Sequence, residues 1–195
     1  MARPRLHDDA LRTRLLEVTS RVISADGEAA VTVRKVAAEA GTSASAVYAL
    51  FGSREALVEE VGDEGFRRFA ERLAAVGHSD DPAADLRALG GAYRRFALAD
   101  PHFYRVMFDH GVSPRGGGTA SALDDPTFRV LHDAVARLLG GAPPARVLSA
   151  AVGLWGLVHG LVSLELAGLL PGDEHTRTES FEQATGVVGV ALLGR

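Results

Sequence analysis

An all-α fold follows from three features of this 195-residue sequence. No segment sustains the apolar–polar alternation of a strand, whereas apolar residues recur at three- and four-residue spacing almost throughout. Ser, Thr and Pro stand where those stretches begin, and Gly or Pro where they stop. The chain has no cysteine and is 47% hydrophobic, so a packed core, with no disulfide, must hold it together. About nine helices are expected, divided between a three-helix N-terminal head, residues 1–55, and a larger helical-bundle body, residues 56–195.

Each element has a local reason. Leu11, Leu15, Val18, Val22 and Ile23 form one stripe, closed by Asp26-Gly27. Thr32 caps a short helix that runs to Ala40, and Ser43 caps a second one, Ala44 to Leu50. Ser53 caps a longer helix that ends near Gly77, with Leu57, Val61, Phe66, Phe69, Leu73 and Val76 on its inner side. Pro82 opens the next helix, which Asp100-Pro101 stops at about Ala99. A short aromatic helix, His102 to Phe108, follows. The Gly-, Ser- and Pro-rich residues 109–124 read as a flexible loop. Further helices are expected over Pro126–Leu139, Ala145–Leu170 and Arg177–Leu193. Val147 to Leu164 carries no charge and reaches the minimum length of a membrane span. It also holds His159 and several glycines, and Glu165 follows at once, so it reads as a core helix of a soluble protein. The polar, basic N-terminus MARPRLHDDALRTR shows no secretory signal, and the cytoplasm is the expected compartment, with no membrane partner.

The stretch TVRKVAAEAGTSASAVYALF, Thr32 to Phe51, carries the clearest chemistry. Ala37 is small where two helices must nearly touch. Gly41, four residues later, suits the left-handed turn, and Val47 is the apolar anchor of the second helix. This spacing is what a helix-turn-helix requires. The inner face of the second helix is Val47, Leu50 and Phe51. Ala44, Ser45, Tyr48 and Ala49 remain outside as a reading face without a basic residue. Affinity must then come from Arg34, Lys35 and Arg54, which stand in the first turns after the Thr32 and Ser53 caps. There they oppose the helix dipole by ~0.3–1 kcal/mol each, a conflict that a bound phosphate resolves. The total charge is −4, but residues 1–57 hold eight basic and seven acidic side chains, so the deficit lies in the body.

This segment resembles the DNA-binding head of the TetR (tetracycline-repressor-like) family. The Tyr48-x-x-Phe51 ending of the reading helix and the Ser53-Arg54-Glu55-Ala56-Leu57 opening of the next helix complete the match. FALADPHFYRVMF, Phe96 to Phe108, and WGLVHG, Trp155 to Gly160, are similar to the WHG-type C-terminal domain of some such regulators. The resemblance implies a homodimeric transcriptional regulator, usually a repressor. It would bind a palindromic double-stranded DNA operator and be released by a small effector, with the last two long helices forming a four-helix dimer interface. Thr32, Arg34, Lys35, Ser43, Ala44, Ser45, Tyr48 and Arg54 are the expected DNA-binding residues. The family often has a basic residue where Ala44 stands, a larger polar one at Ala49 and His at Leu50, so the resemblance carries no operator sequence with it.

An effector site is expected in the body at an aromatic and soft cluster, Tyr93, Phe96, Phe103, Tyr104, Met107, Trp155 and His159. His159 lies one turn beyond Trp155, where it either bonds a ligand or is satisfied within the core. An effector is expected to move the helix that starts at Ser53, with Gly62 and Gly65 letting it bend. The seven histidines form no metal-ligand spacing, and no catalytic constellation or phosphate-binding loop is present. No enzyme activity, metal or cofactor is therefore expected. The competing reading is a helical ligand-binding protein with a vestigial DNA-binding head.

Overall fold

The structure, a computed structural model, describes residues 5–108 and 125–194, with side chains from Asp8 onward. The loop expected at 109–124 lies outside the described residues. Nine α-helices and no strand are found among those described: α1 (Arg5–Asp26), α2 (Val33–Glu39), α3 (Ala44–Phe51), α4 (Arg54–Ala74), α5 (Pro82–Ala99), α6 (Pro101–Phe108), α7 (Pro126–Leu138), α8 (Pro144–Leu166) and α9 (Glu174–Leu193). They divide into two compact units. The first comprises the described residues of Met1–Arg68 and Asp100–Thr119, the second those of Phe69–Ala99 and Ala120–Arg195.

In the first unit, α1 supplies Leu15, Leu16, Val18, Val22 and Ile23 to a core shared with Val36 and Ala37 of α2, Val47 and Phe51 of α3, and Leu57 and Val61 of α4. Phe103 and Val106 of α6 belong to the same core. A 3₁₀ turn, Glu28–Ala30, connects α1 to α2 and was not expected from the sequence. Gly27 precedes it at φ 82°, a conformation that costs other residues more. Arg68 ties three helices together: its guanidinium lies 2.7 Å from Glu64, 3.7 Å from Glu17 and 3.5 Å from Asp100, and 4.4 Å over the Phe103 ring. Gly65 is where α4 meets α6. A β-carbon there would lie 2.9 Å from the Met107 side chain, so this glycine serves close packing.

The second unit packs Phe128, Val135 and Leu138 of α7 against Val147, Ala151 and Leu154 of α8 and Leu193 of α9. α9 begins three residues earlier than its apolar pattern suggests. The Asp173 carboxylate accepts from Thr176 N–H at 2.9 Å, and this cap overrides the polar run that follows it. Arg94 of α5 is buried and forks onto Glu165 of α8 through two 2.7 Å bonds, while Thr178 of α9 accepts a third at 3.1 Å. Arg177 reaches Glu165 at 3.3 Å. The bonds to Arg94 hold the Glu165 carboxyl below its ordinary range.

A second carboxylate closes the other end of α5. Asp85 is buried and accepts from the Ser79 hydroxyl at 2.6 Å, the Ser79 amide at 2.9 Å and Arg137 at 2.9 Å. The Ser79 bonds, followed by Arg137, bring its pKa from 3.8 to about 2. A depressed carboxyl pKa favours the folded state above the unfolded value, and that contribution disappears as pH falls through the folded one. Asp85→Asn is therefore expected to lower unfolding stability at pH 7, with the gap to the parent protein closing between pH 4 and pH 2. Urea titrations across that range check this, and a gap independent of pH contradicts it.

Candidate nucleic-acid interface

The helix-turn-helix is assembled as its spacing requires. The Thr32 hydroxyl accepts from Lys35 N–H at 3.2 Å, which starts α2. At its end Thr42 N–H donates to Ala37 C=O at 2.9 Å while Gly41 takes φ 68°. This is the wrapped C-terminus that glycine permits. The Ser43 hydroxyl accepts from Ala46 N–H at 3.2 Å and starts α3. Ala37 and Val47 are buried at the contact of the two helices. Ser53 caps α4 by accepting from Ala56 N–H at 3.0 Å.

The outer face of α3 is close to the one expected. Ser45, Tyr48 and Ala49 are exposed, and Tyr48 keeps 54% of its surface. Ala44 departs from the expectation: it is half-buried and packs against the head core, as does Leu50. The Ser45 hydroxyl lies 2.9 Å from that of Ser43, so the two hydroxyls at the start of α3 face each other.

The three basic residues separate into two kinds. Arg34 is exposed and makes no hydrogen bond or ion pair among the described residues. Lys35 donates to Asp26 at 2.9 Å, and this bond raises its pKa above the ordinary lysine value. Arg54 is bound inward. Its Nε donates to Val31 C=O at 2.8 Å and an Nη to Glu28 C=O at 2.6 Å, with the Glu28 carboxylate 3.4 Å from the other Nη. A guanidinium presents a rigid fork of donors, and here the fork closes the corner between α1 and α2. The expected phosphate clamp thus acts in this structure as a buckle. Its partners lie 23 and 26 residues away in the unanticipated 3₁₀ corner, where no local pattern points to them.

The expected effector residues fall in both units. Phe103, Tyr104 and Met107 are buried within the first unit. Tyr93, Phe96, Trp155 and His159 belong to the second. There the Tyr93 hydroxyl and His159 Nδ1 are 2.9 Å apart. Phe96 stacks on Phe69, centroids 5.0 Å apart, and Trp155 sits 5.6 Å from the Phe128 ring. Tyr93 is thus a polar partner of His159. A cleft that the sequence did not point to lies elsewhere in the second unit, lined by Leu98, Glu165, Gly168, Leu170, Glu174 and Arg177.

Residues 15–61 match the family model described as bacterial regulatory proteins, tetR family. Residues 86–188, more than half of the chain, match the tetracyclin repressor-like C-terminal domain. The chain belongs to the TetR family. Solved structures share the fold along nearly its whole length. A TetR family transcription regulator from Marinobacter aquaeolei VT8 is 20% identical, with TM-score 0.70 over 93% of this chain and 96% of that one. The TetR family transcriptional regulator PfmR from Thermus thermophilus is 20% identical, with TM-score 0.69 over 92% and 97%. A tetR-family transcriptional regulator from Streptomyces coelicolor is 21% identical, with TM-score 0.67 over 96% and 88%. No curated protein matches the chain.

The geometry separates two roles that the sequence left alike. Arg34→Ala is expected to flatten the dependence of log K on log salt by about 0.9, the value for one lost phosphate contact on B-DNA. Arg54→Ala is expected to leave that slope unchanged while destabilising the head by about 1–2 kcal/mol, since hydrogen bonds from a charged donor are lost. Fluorescence anisotropy across a salt series and thermal melts separate the two. Equal flattening by both variants contradicts the assignment of Arg54.

Proposed function

We propose that this TetR-family protein is a ligand-responsive repressor that binds a palindromic operator as a homodimer and leaves it when a small, mostly apolar effector binds the body. The observation that carries the reading is a helix-turn-helix capped at Thr32 and Ser43, whose second helix exposes Ser45, Tyr48 and Ala49 and whose first exposes Arg34, a side chain with no hydrogen bond or ion pair among the described residues. Two-fold symmetric heads would read two half-sites about one helical turn apart.

The second unit supports the dimer. Val152 and Leu164 of α8 and Val187, Val190 and Leu192 of α9 are exposed apolar side chains on the two long C-terminal helices. Gly153 already seats Leu192, whereas a β-carbon at Gly156 or Gly160 would meet nothing within 4 Å, which leaves room for a close neighbour. α8 is the one described helix long and apolar enough to cross a membrane by length and composition. Its buried Val147, Ala150, Ala151, Leu154 and Val162 and its exposed stripe favour burial between protein surfaces in the cytoplasm. Trp155 to Gly160 supports a WHG-type body.

In this reading the effector binds in the second unit beside Tyr93 and His159, whose hydrogen-bonding groups give an apolar ligand one polar handle. α4 carries the signal, because it starts at Arg54 in the head and its last turns belong to the second unit. The coupling between effector and operator would be ~1–3 kcal/mol. Arg54 and Lys35 being held by partners within the chain is the observation that favours a vestigial head instead.

Binding of the purified protein to DNA from its own upstream region, at two salt concentrations, tests the function. Saturable binding that weakens steeply with salt is expected, and its release by an effector would complete the assignment. Absence of saturable binding there and to genomic fragments would favour the vestigial head. For the dimer, Val187→Asp is expected to convert it to monomer in sedimentation velocity while retaining helical content. An unchanged sedimentation coefficient would remove α9 from the interface.

A further inference from the structure

Resting on the reading of the head as an operator binder, we infer that α3 discriminates bases through the C5 methyl group of thymine, so that 5-methylcytosine is read as thymine. Sequence readout in the major groove by hydrogen bonds uses a narrow set of side chains: Arg or Lys for guanine, Asn or Gln for adenine, Asp or Glu for the cytosine amino group. α3, Ala44–Phe51, contains none of them, and neither do the residues that flank it, Thr42 and Ser43 before, Gly52 and Ser53 after. The exposed side chains are Ser45, Tyr48 and Ala49, which lie together on one face at three- and four-residue spacing.

On α3 itself two hydroxyls remain, Ser45 and Tyr48, and their positions limit what they read. The Ser45 hydroxyl already faces that of Ser43 at 2.9 Å, and Ser43 in turn accepts the Ala46 amide. The Tyr48 hydroxyl has no partner among the described residues, but it sits at the far end of a ring that is itself mostly exposed. A single hydroxyl both donates and accepts, so it does not distinguish one base edge from another as a bidentate pair does. What α3 offers without ambiguity is apolar surface: the Tyr48 ring and the Ala49 methyl. The only apolar feature that base pairs present in the major groove is the methyl on C5 of thymine. 5-Methylcytosine places the same group on the same atom.

This gives an ordering that no hydrogen-bond code produces. At a position contacted by α3, T·A and 5-methylcytosine·G bind well, whereas U·A and C·G, which lack the methyl, bind less tightly. Burying one methyl is worth about four-fold in affinity per contact. Two-fold symmetry places the effect at matching positions of both half-sites.

The test uses the full-length protein and an operator recovered by selecting genomic fragments. Each thymine of each half-site is replaced in turn by uracil, and positions that respond are rebuilt as C·G and as 5-methylcytosine·G. A loss of about four-fold with uracil, recovered by 5-methylcytosine over cytosine, is expected. Tyr48→Ala, at an exposed position that the fold does not need, should narrow the thymine–uracil gap at one position per half-site while other positions keep theirs. Tight, saturable binding in which uracil equals thymine everywhere, or in which 5-methylcytosine behaves as cytosine, overturns the inference and leaves the operator-binding reading intact. A folded protein that binds no genomic fragment overturns both.

Discussion

One guanidinium organises the head. Arg54 begins α4, yet its donors end on the carbonyls of Glu28 and Val31, in the corner between α1 and α2. That corner is a 3₁₀ turn whose Glu28 carbonyl already accepts the Val31 amide at 3.0 Å, so Arg54 adds a second bond there and supplies a donor to the Val31 carbonyl beyond the turn. The bonds therefore do two things together. They supply those carbonyls, and they hold the start of α2 at a set distance from the start of α4. The Thr32 cap, the Arg34 side chain and the contact of Ala37 with Val47 all follow from where α2 begins. Moving the guanidinium to a phosphate would strip the corner of two charge-assisted bonds, a loss comparable to what one phosphate contact returns. Arg34, with no such bond among the described residues, is the residue available for that contact.

The second unit uses the same device. Glu165 is nearly buried, and a lone buried carboxylate would be costly. Arg94 from α5 bonds both of its oxygens, Arg177 from α9 donates to one of them, and Thr178 takes a remaining Arg94 donor. Such pairs contribute little net stability, but removing one partner leaves an uncompensated charge. Their effect is to fix the register of α5, α8 and α9. That register also sets where Val152 and Leu164 of α8 and Val187, Val190 and Leu192 of α9 stand exposed.

The helices were legible because their causes are local. A cap at Thr32, Ser43 or Ser53, a glycine at 41 and apolar residues at helical spacing act within a few residues of one another. The exposed face of α3 was legible for the same reason, except at Ala44, whose half-burial depends on how α3 leans on the core. Everything decided by a distant partner was not. Glu28–Ala30 carries no periodic signal, and the contact that defines Arg54 spans more than twenty residues. The α9 start was masked by a polar stretch that a single aspartate caps. The aromatic cluster shows the same limit: Phe103 and Tyr93 look equivalent in the sequence, yet one packs in the head unit and the other bonds His159 in the second.

The central claim is a division of labour in the head, with Arg34 on phosphate, Arg54 on the corner and α3 contributing an uncharged face. A crystal structure of the protein on its selected operator tests it most directly. The account predicts the Arg34 guanidinium on a phosphate, Arg54 still bonded to the Glu28 and Val31 carbonyls, and Tyr48 and Ala49 against base edges in the major groove. Arg54 swung onto a phosphate, with the corner carbonyls released to water, would contradict it.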